Sequence, residues 1–504
     1  MPFIANTDAD QAAMLAAVGV ERIEDLFHDV PEVYRFPELN LPEALSELEV
    51  LRELASLANE NEKLDELTSF LGAGAYRHFI PSVVDFLSGR SEFYTAYTPY
   101  QPEVSQGTLQ AVFEYQSMIA ALTGMDASNA SHYDGATATA EAVIMALNTV
   151  KGKRHRVILS PTLHPQYREV VRTYAQGMGL EIVGDGGLGQ ETGPSSGKGL
   201  DQETGPSKGL GQETGPSKRE TGPSNLDGND FHALLELCDA KTACVVVQNP
   251  DFLGTIHSPQ EIQALADGVH AHGALLAVAV DPISLGLFTP PGHCGADIVM
   301  GEGQSLGIPL NFGGPYLGFF TMREKDVRKS AGRIAGETVD LDGRTGYVLT
   351  LSTREQHIKR SRATSNICSN QALMALRAAI YLATMGKQGL RSVAEQCYHK
   401  AQYAATKIGM LPGYEIVNRG PFFKEFVVRC PLPVADVKAH LLLEWGIIPG
   451  YDLTQDYPEL GECLLVAVTE MNTAEEIDAL AEALAEAAEL AVDAEAFVLE
   501  MELR

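Results

Sequence analysis

The sequence predicts an α/β protein: a mostly parallel sheet with helices on both faces, followed by a smaller α+β part. Three observations carry that reading. Between about residues 105 and 335, short apolar runs alternate with stretches of helical period. The runs RVILS, ACVVVQ and ALLAVAV are apolar at nearly every position, so both faces of those strands must be covered, as in a parallel sheet between helical layers. After about residue 345 the alternation gives way to a long helical region and then the separate apolar runs KEFVVRCP, GIIPGY and CLLVAVTE.

Taken in order, residues 1–70 read as a helical arm. Thr7 or Asp8 is placed to cap the first helix, and PEALSELEVLRELASLANENEKLDELTSFLG spaces its apolar residues by three and four. The large α/β part spans 71–345. Its early segment FYTAYTPYQPEVSQG, residues 93–107, has the prolines and aromatic residues of an extended loop that lines a site. Two helices follow, TLQAVFEYQSMIAALTG and ATATAEAVIMALNTV, then the strand RVILS, the helix HPQYREVVRTYAQGMG and the strand LEIVG. Residues 189–225 repeat Glu-Thr-Gly-Pro-Ser with almost no apolar content, so they are expected to be a disordered surface insertion. The alternation then resumes with NDFHALLELCD, ACVVVQ, SPQEIQALADGVHAHG and ALLAVAV, the last ending near Asp281. The helix TAEEIDALAEALAEAAELAV closes the C-terminal part, 346–504.

Composition removes several function classes. With 504 residues, 45% hydrophobic and 21% charged, the chain is of ordinary globular composition. A formal charge of -30 repels phosphate backbones and excludes nucleic acid as a partner. No apolar run is long enough to span a bilayer, and the N-terminus lacks a basic leader. The seven cysteines are scattered without CxxC pairing, the pattern of reduced thiols in a cytoplasm and not of a zinc site.

The candidate chemistry lies at strand ends and one helix start. In SHYDGATATAEAV, Gly135, Ala136 and Thr137 open a helix whose free N–H groups suit a phosphate. His164 follows the end of RVILS, where ligands of parallel sheets lie, although a lone histidine is more often structural. Asp281 ends one buried strand and is followed by DIVMGEGQSLGIPLNFGGPYLGFF, a strand, a turn and a second strand. Many pyridoxal-phosphate enzymes are built this way, with the Asp on the pyridine nitrogen and a lysine in the later turn. Here no lysine occurs between Lys241 and Lys325, and neither Gln304 nor Ser305 can supply an amine. The segment TREQHIKRSRATSNICSNQ gathers Arg354, Lys359, Arg360 and Arg362, either for an anion or subunit contact or, the favoured reading, for pairing with nearby carboxylates.

Five stretches together resemble one family: FLGAGAYRHFIPSVVDFLSGRSEFYTAYTPYQPEVSQGTLQAVFEYQ, DGATATAEA, VDPISLGL, GADIVMGEGQSLGIPLNFGGPYLGFF and REQHIKRSRATSNICSNQ. They look like the P-protein of the glycine cleavage system, and more narrowly the N-terminal subunit of its two-chain form. The resemblance covers nearly the whole chain outside 189–225. It implies the aminotransferase-like fold of pyridoxal-phosphate enzymes, fold type I. It further implies a heterodimer with a second chain, subunit 2, and association of two such dimers. Subunit 2 would carry the pyridoxal phosphate covalently. The complex would decarboxylate glycine, release CO2 and pass the aminomethyl group to the lipoyl arm of H-protein. Matching the turns puts Ser305 opposite the cofactor lysine and Gln304 opposite the histidine before it. Gly135, Ala136, Thr137, His164, Asp281 and Ser305 are then vestigial cofactor positions. Tyr97, Thr98, Tyr100 and Glu103 are the residues expected to reach the shared site. The competing expectation is a catalytically silent scaffold or binding protein of the same fold.

Overall fold

The computed structural model describes residues 6–64, 66–95, 98–99, 101–186, 231–367 and 370–502, with backbone alone from residue 490. The chain forms two compact units, 1–63 and 64–504. In the first, Thr7 caps the helix Asp8–Val18, its hydroxyl accepting from the Asp10 N–H while the Asp10 carboxylate accepts from Thr7 N–H. Ser46 and Glu49 cap Glu47–Ala58 in the same reciprocal way. Between them lie only two short turns of 3₁₀ helix, Ile23–Phe27 and Glu32–Tyr34. The helical period of this region therefore overstated its continuity, because prolines at 31, 37 and 42 interrupt it.

The second unit is built on a seven-stranded sheet: β1 Ala127–Ser128, β2 Arg156–Leu159, β3 Glu181–Val183, β4 Thr242–Gln248, β5 Leu275–Ala279, β6 Ile298–Glu302 and β7 Gly318–Met322. Their spatial order is β1-β7-β6-β5-β4-β2-β3. Neighbours from β3 across to β6 are parallel, and β7 runs antiparallel to both β6 and β1. The continuous apolar runs have the cause expected of them. Val245, Val247, Leu276 and Val278 pack into one cluster, while Cys244, Val246, Leu275 and Ala277 pack into another on the opposite face. Asp281 and the turn after β6 thus emerge at the same end of the sheet, which also receives the N-terminus of the helix Gly135–Thr149.

A hairpin follows, Ile334–Val339 paired antiparallel with Thr345–Thr350. The reading of 345 onward as helical missed it. The helix Ala372–Gly409 does run as long as expected, but it breaks at Gly386, whose φ of 57° only a residue without Cβ adopts freely. The C-terminal sheet orders Glu415–Ile416, Glu425–Arg429, Cys463–Ala467 and Tyr451–Asp452, all antiparallel. The run GIIPGY is split: Ile447–Ile448 pairs with Thr68–Ser69 instead. The helices Val434–Trp445 and Ala474–Glu502 cover this sheet through Val437, Leu441, Ile477 and Leu480. Cys238, Cys244, Cys294, Cys397, Cys430 and Cys463 are all buried free thiols. Among the described residues no helix is long and apolar enough to cross a membrane.

Candidate functional site

Asp134 caps the helix Gly135–Thr149 by accepting from the Thr137 N–H at 2.7 Å, and the Thr137 hydroxyl oxygen accepts from the Asp134 N–H. The next free donor, Gly135 N–H, points into the sheet end. A phosphate is not what it meets. It donates to Oε2 of Glu302 at 3.0 Å, while Oε1 of the same carboxyl accepts from Gln304 N–H at 2.9 Å and Leu317 N–H at 3.0 Å. Burial pushes Glu302 up to about 8 despite those three amide donors, with the Asp134 charge adding to the push.

Tyr167 lies against the same helix start. A Cβ at Gly135 would collide with its hydroxyl, so glycine here makes room for a phenol. The Tyr167 ring stacks on His164 with centroids 4.6 Å apart and planes 8° from parallel. Burial, together with the charges of Glu302, Asp134 and Asp281, raises the phenol well above its ordinary range and keeps it neutral. His164 receives the Gln166 N–H on Nδ1 at 3.2 Å and directs Nε2 to the Ala73 carbonyl at 3.0 Å. Burial lowers it to about 4, so it is a neutral, structurally committed ring at pH 7.

Asp281 ends β5, with Oδ1 accepting from Ile283 N–H, and its Oδ2 stands 2.8 Å from the ammonium of Lys424. Lys424, buried at 1% exposure, immediately precedes the strand Glu425–Arg429 in the interior of the C-terminal sheet. Its Nζ lies 3.4 Å from the centroid of the Tyr76 ring and 3.1 Å from Nε2 of His78, whose Nδ1 is 2.7 Å from Glu470. Tyr76 donates its hydroxyl to Glu425 at 2.7 Å, and burial pushes Glu425 up to about 7. The backbone of Tyr76 is clasped by Gln304, which accepts from its N–H at 2.8 Å and donates to its carbonyl at 3.0 Å. Cys397 joins His78 and Glu470 within 4.8 Å, a donor set that the scattered cysteines did not reveal. The positive charge a metal would bring there is already supplied by Lys424.

The turn after β6 buries Ser305 at 3% exposure. The cavity left beside Asp281 and Lys424 is about 20 Å³, room for roughly one water. These residues do not fit a resident pyridoxal phosphate. The turn has no amine, Lys424 is committed to Asp281, the Glu302 carboxyl already takes the Gly135 N–H, and the Tyr167 ring already covers His164.

The aromatic loop forms a separate group. Tyr97 and Tyr100 lie outside the described residues. Thr98 accepts from the guanidinium of Arg333, whose carbonyl accepts the Ala130 N–H just upstream of Asp134. Glu103 is exposed on the short turn Pro102–Val104. Gln106 ties the loop's end to the hairpin, exchanging bonds with Tyr347 N–H and carbonyl at 2.7 and 2.8 Å. The structure therefore gathers Gly135, His164, Asp281 and Ser305 at one sheet end, ties Thr98 to Arg333 and leaves Glu103 exposed. The arginine reading is corrected: Arg354 is buried and donates to the carbonyls of Ser330, Gly332 and Leu351, not to carboxylates. Lys359, Arg360 and Arg362 are exposed.

Residues 1–484 match the family model described as glycine cleavage system P-protein. The chain belongs to the glycine cleavage system P-protein family. Among its relatives, a chain of Moorella thermoacetica named probable glycine dehydrogenase (decarboxylating) subunit 1 is 51% identical over 96% of this chain and 99% of its own length. A chain of Thermomicrobium roseum with the same name is 48% identical over 97% and 100%. A crystal structure of glycine decarboxylase (P-protein) of the glycine cleavage system, in inhibitor-bound form, superposes with a TM-score of 0.79 at 38% identity, covering 97% of this chain and 100% of that one. The sphingosine-1-phosphate lyase of Burkholderia pseudomallei shares the fold alone, with a TM-score of 0.59 at 15% identity over 94% of this chain and 98% of its own. The P-protein chain thus has fold type I of the pyridoxal-phosphate enzymes.

Glu302, Tyr167, Lys424 and Tyr76 were missed in the sequence. Glu302 sits inside the quoted turn and could have been noticed as an acid where an anion was expected. Lys424 carries no local signal, because only the packing of the C-terminal sheet brings it to Asp281.

Proposed function

We propose that this P-protein chain is subunit 1 of a two-subunit glycine dehydrogenase (decarboxylating) and is its subunit without the cofactor. One conjunction carries the reading: full-length similarity to chains named subunit 1, and a cofactor cradle holding Glu302, Tyr167 and Lys424. The assembled enzyme takes glycine, releases its carboxylate as CO2 and passes the aminomethyl group to the lipoyl arm of H-protein. Pyridoxal phosphate, held covalently by subunit 2, supplies the electron sink.

The contribution of this chain lies at the rim. Tyr97, Thr98, Tyr100 and Glu103 form a wall of the partner's site, exclude water and orient the incoming arm. The bond from Arg333 to Thr98 and those between Gln106 and Tyr347 anchor these two residues, which supports a positioning role for Thr98. The working assembly is a heterodimer, paired again with a second heterodimer, in the cytoplasm. Purified alone with H-protein and pyridoxal phosphate, the chain should release no CO2 from glycine, and adding subunit 2 should start turnover. Release by the chain alone would overturn the assignment.

A further inference from the structure

We propose that the cofactor cradle of this chain is filled by its own side chains, and that Glu302 and Tyr167 close it to pyridoxal phosphate independently of the missing lysine. Each occupant makes the kind of contact the cofactor would make. An acidic group takes the N–H at the start of the helix Gly135–Thr149, at 3.0 Å. A flat aromatic ring lies on His164, 4.6 Å away and 8° from parallel. A cationic nitrogen, the ammonium of Lys424, sits 2.8 Å from Asp281 where a pyridine nitrogen would stand. Two of the three meet at one residue: the Tyr167 hydroxyl abuts Gly135, whose N–H is bonded to Glu302.

The physical consequence is specific. A lysine introduced at position 305 restores an amine but leaves Glu302 on the Gly135 N–H and the Tyr167 hydroxyl against Gly135. An incoming phosphate would meet a carboxyl group already bonded to three backbone N–H groups, and displacing it would strand the Gln304 and Leu317 donors. The closed cradle is self-consistent without any ligand. It gives this subunit a stable core at the place where its partner depends on a cofactor. The inference rests on reading this chain as the subunit without the cofactor lysine.

The test uses the full-length chain as wild type, S305K, S305K/E302A, S305K/Y167A and the triple variant. Each is incubated with one equivalent of pyridoxal phosphate and reduced with borohydride, and the label at position 305 is quantified by peptide mass spectrometry against surface-lysine background. S305K should label no more than background. The folded double variants should label several-fold more, and the triple variant most. Near-stoichiometric labelling of S305K would overturn the proposal. So would folded double variants, checked by circular dichroism and by assembly with subunit 2, that label no better than S305K. Glycine-dependent CO2 release by the wild-type chain is a separate readout, so failure of the functional assignment is distinguishable from failure of this inference.

Discussion

The sheet-end cradle and the rim loop differ in a way that separates fold from function. In the cradle, charged and aromatic groups are turned on one another: Glu302 on three amides, Lys424 on Asp281, Tyr167 on His164. On the rim, Thr98 and Gln106 are anchored from behind, while Glu103 is exposed. A site that does chemistry must leave donors, acceptors and volume for a substrate. Among the described residues, the cradle's groups are largely taken up within the chain, while Glu103 faces solvent. The groups gathered at the sheet end are thus accounted for by stability, and the proposed contribution to turnover falls to the loop.

The largest expected break of this contrast is at Lys424. Lys424→Met leaves the Asp281 carboxylate buried without its cation, and chemical denaturation should report a loss of about 3–5 kcal/mol. A loss under about 1 kcal/mol would show that the cradle is not internally held. Next is Glu302→Ala, which strands the Gly135, Gln304 and Leu317 N–H groups and should cost about 1–3 kcal/mol.

Glu302 also sharpens the contrast through pH. Its folded value of about 8 lies above the ordinary 4.5, so the folded state holds a proton that the unfolded state releases. That contribution is complete below about 4.5 and is lost as pH rises toward 8, so stability should fall across this window and fall less steeply in Glu302→Gln. Glu425, raised to about 7, acts in the same direction, whereas His164, lowered to about 4, loses its contribution as pH falls from 6.5. Urea midpoints of both chains at several pH values check the sign. The smallest stability effect belongs to the rim: Glu103→Gln should change unfolding by less than about 0.5 kcal/mol, as for other exposed positions.

Much of the architecture was legible because it depends on local pattern. Continuous apolar strands such as Leu275–Ala279 announce burial on both faces, and Thr7, one of the two caps offered by the sequence, does start a helix. The hairpin Ile334–Val339 with Thr345–Thr350 was not legible, since its outer residues are half exposed and mimic a polar helix surface. In the cradle, Gly135, His164, Asp281 and Ser305 could be named from strand ends and a helix start. Their occupants could not, because Lys424 reaches Asp281 and Glu425 reaches Tyr76 only through contacts between segments more than a hundred residues apart. Sequence pattern locates a strand end well, but it is silent on which distant side chain fills the space in front of it.

The most direct test of the division between cradle and rim is turnover of the complex reconstituted with subunit 2, comparing Glu103→Gln with Glu302→Gln. With assembly intact in both, Glu103→Gln should lower glycine-dependent CO2 release by about tenfold or more, as expected for a lost positioning contact. Glu302→Gln should stay within about twofold of the unaltered complex, the change expected of a group that stabilises without touching substrate. Full activity in Glu103→Gln together with collapse in Glu302→Gln would contradict the account.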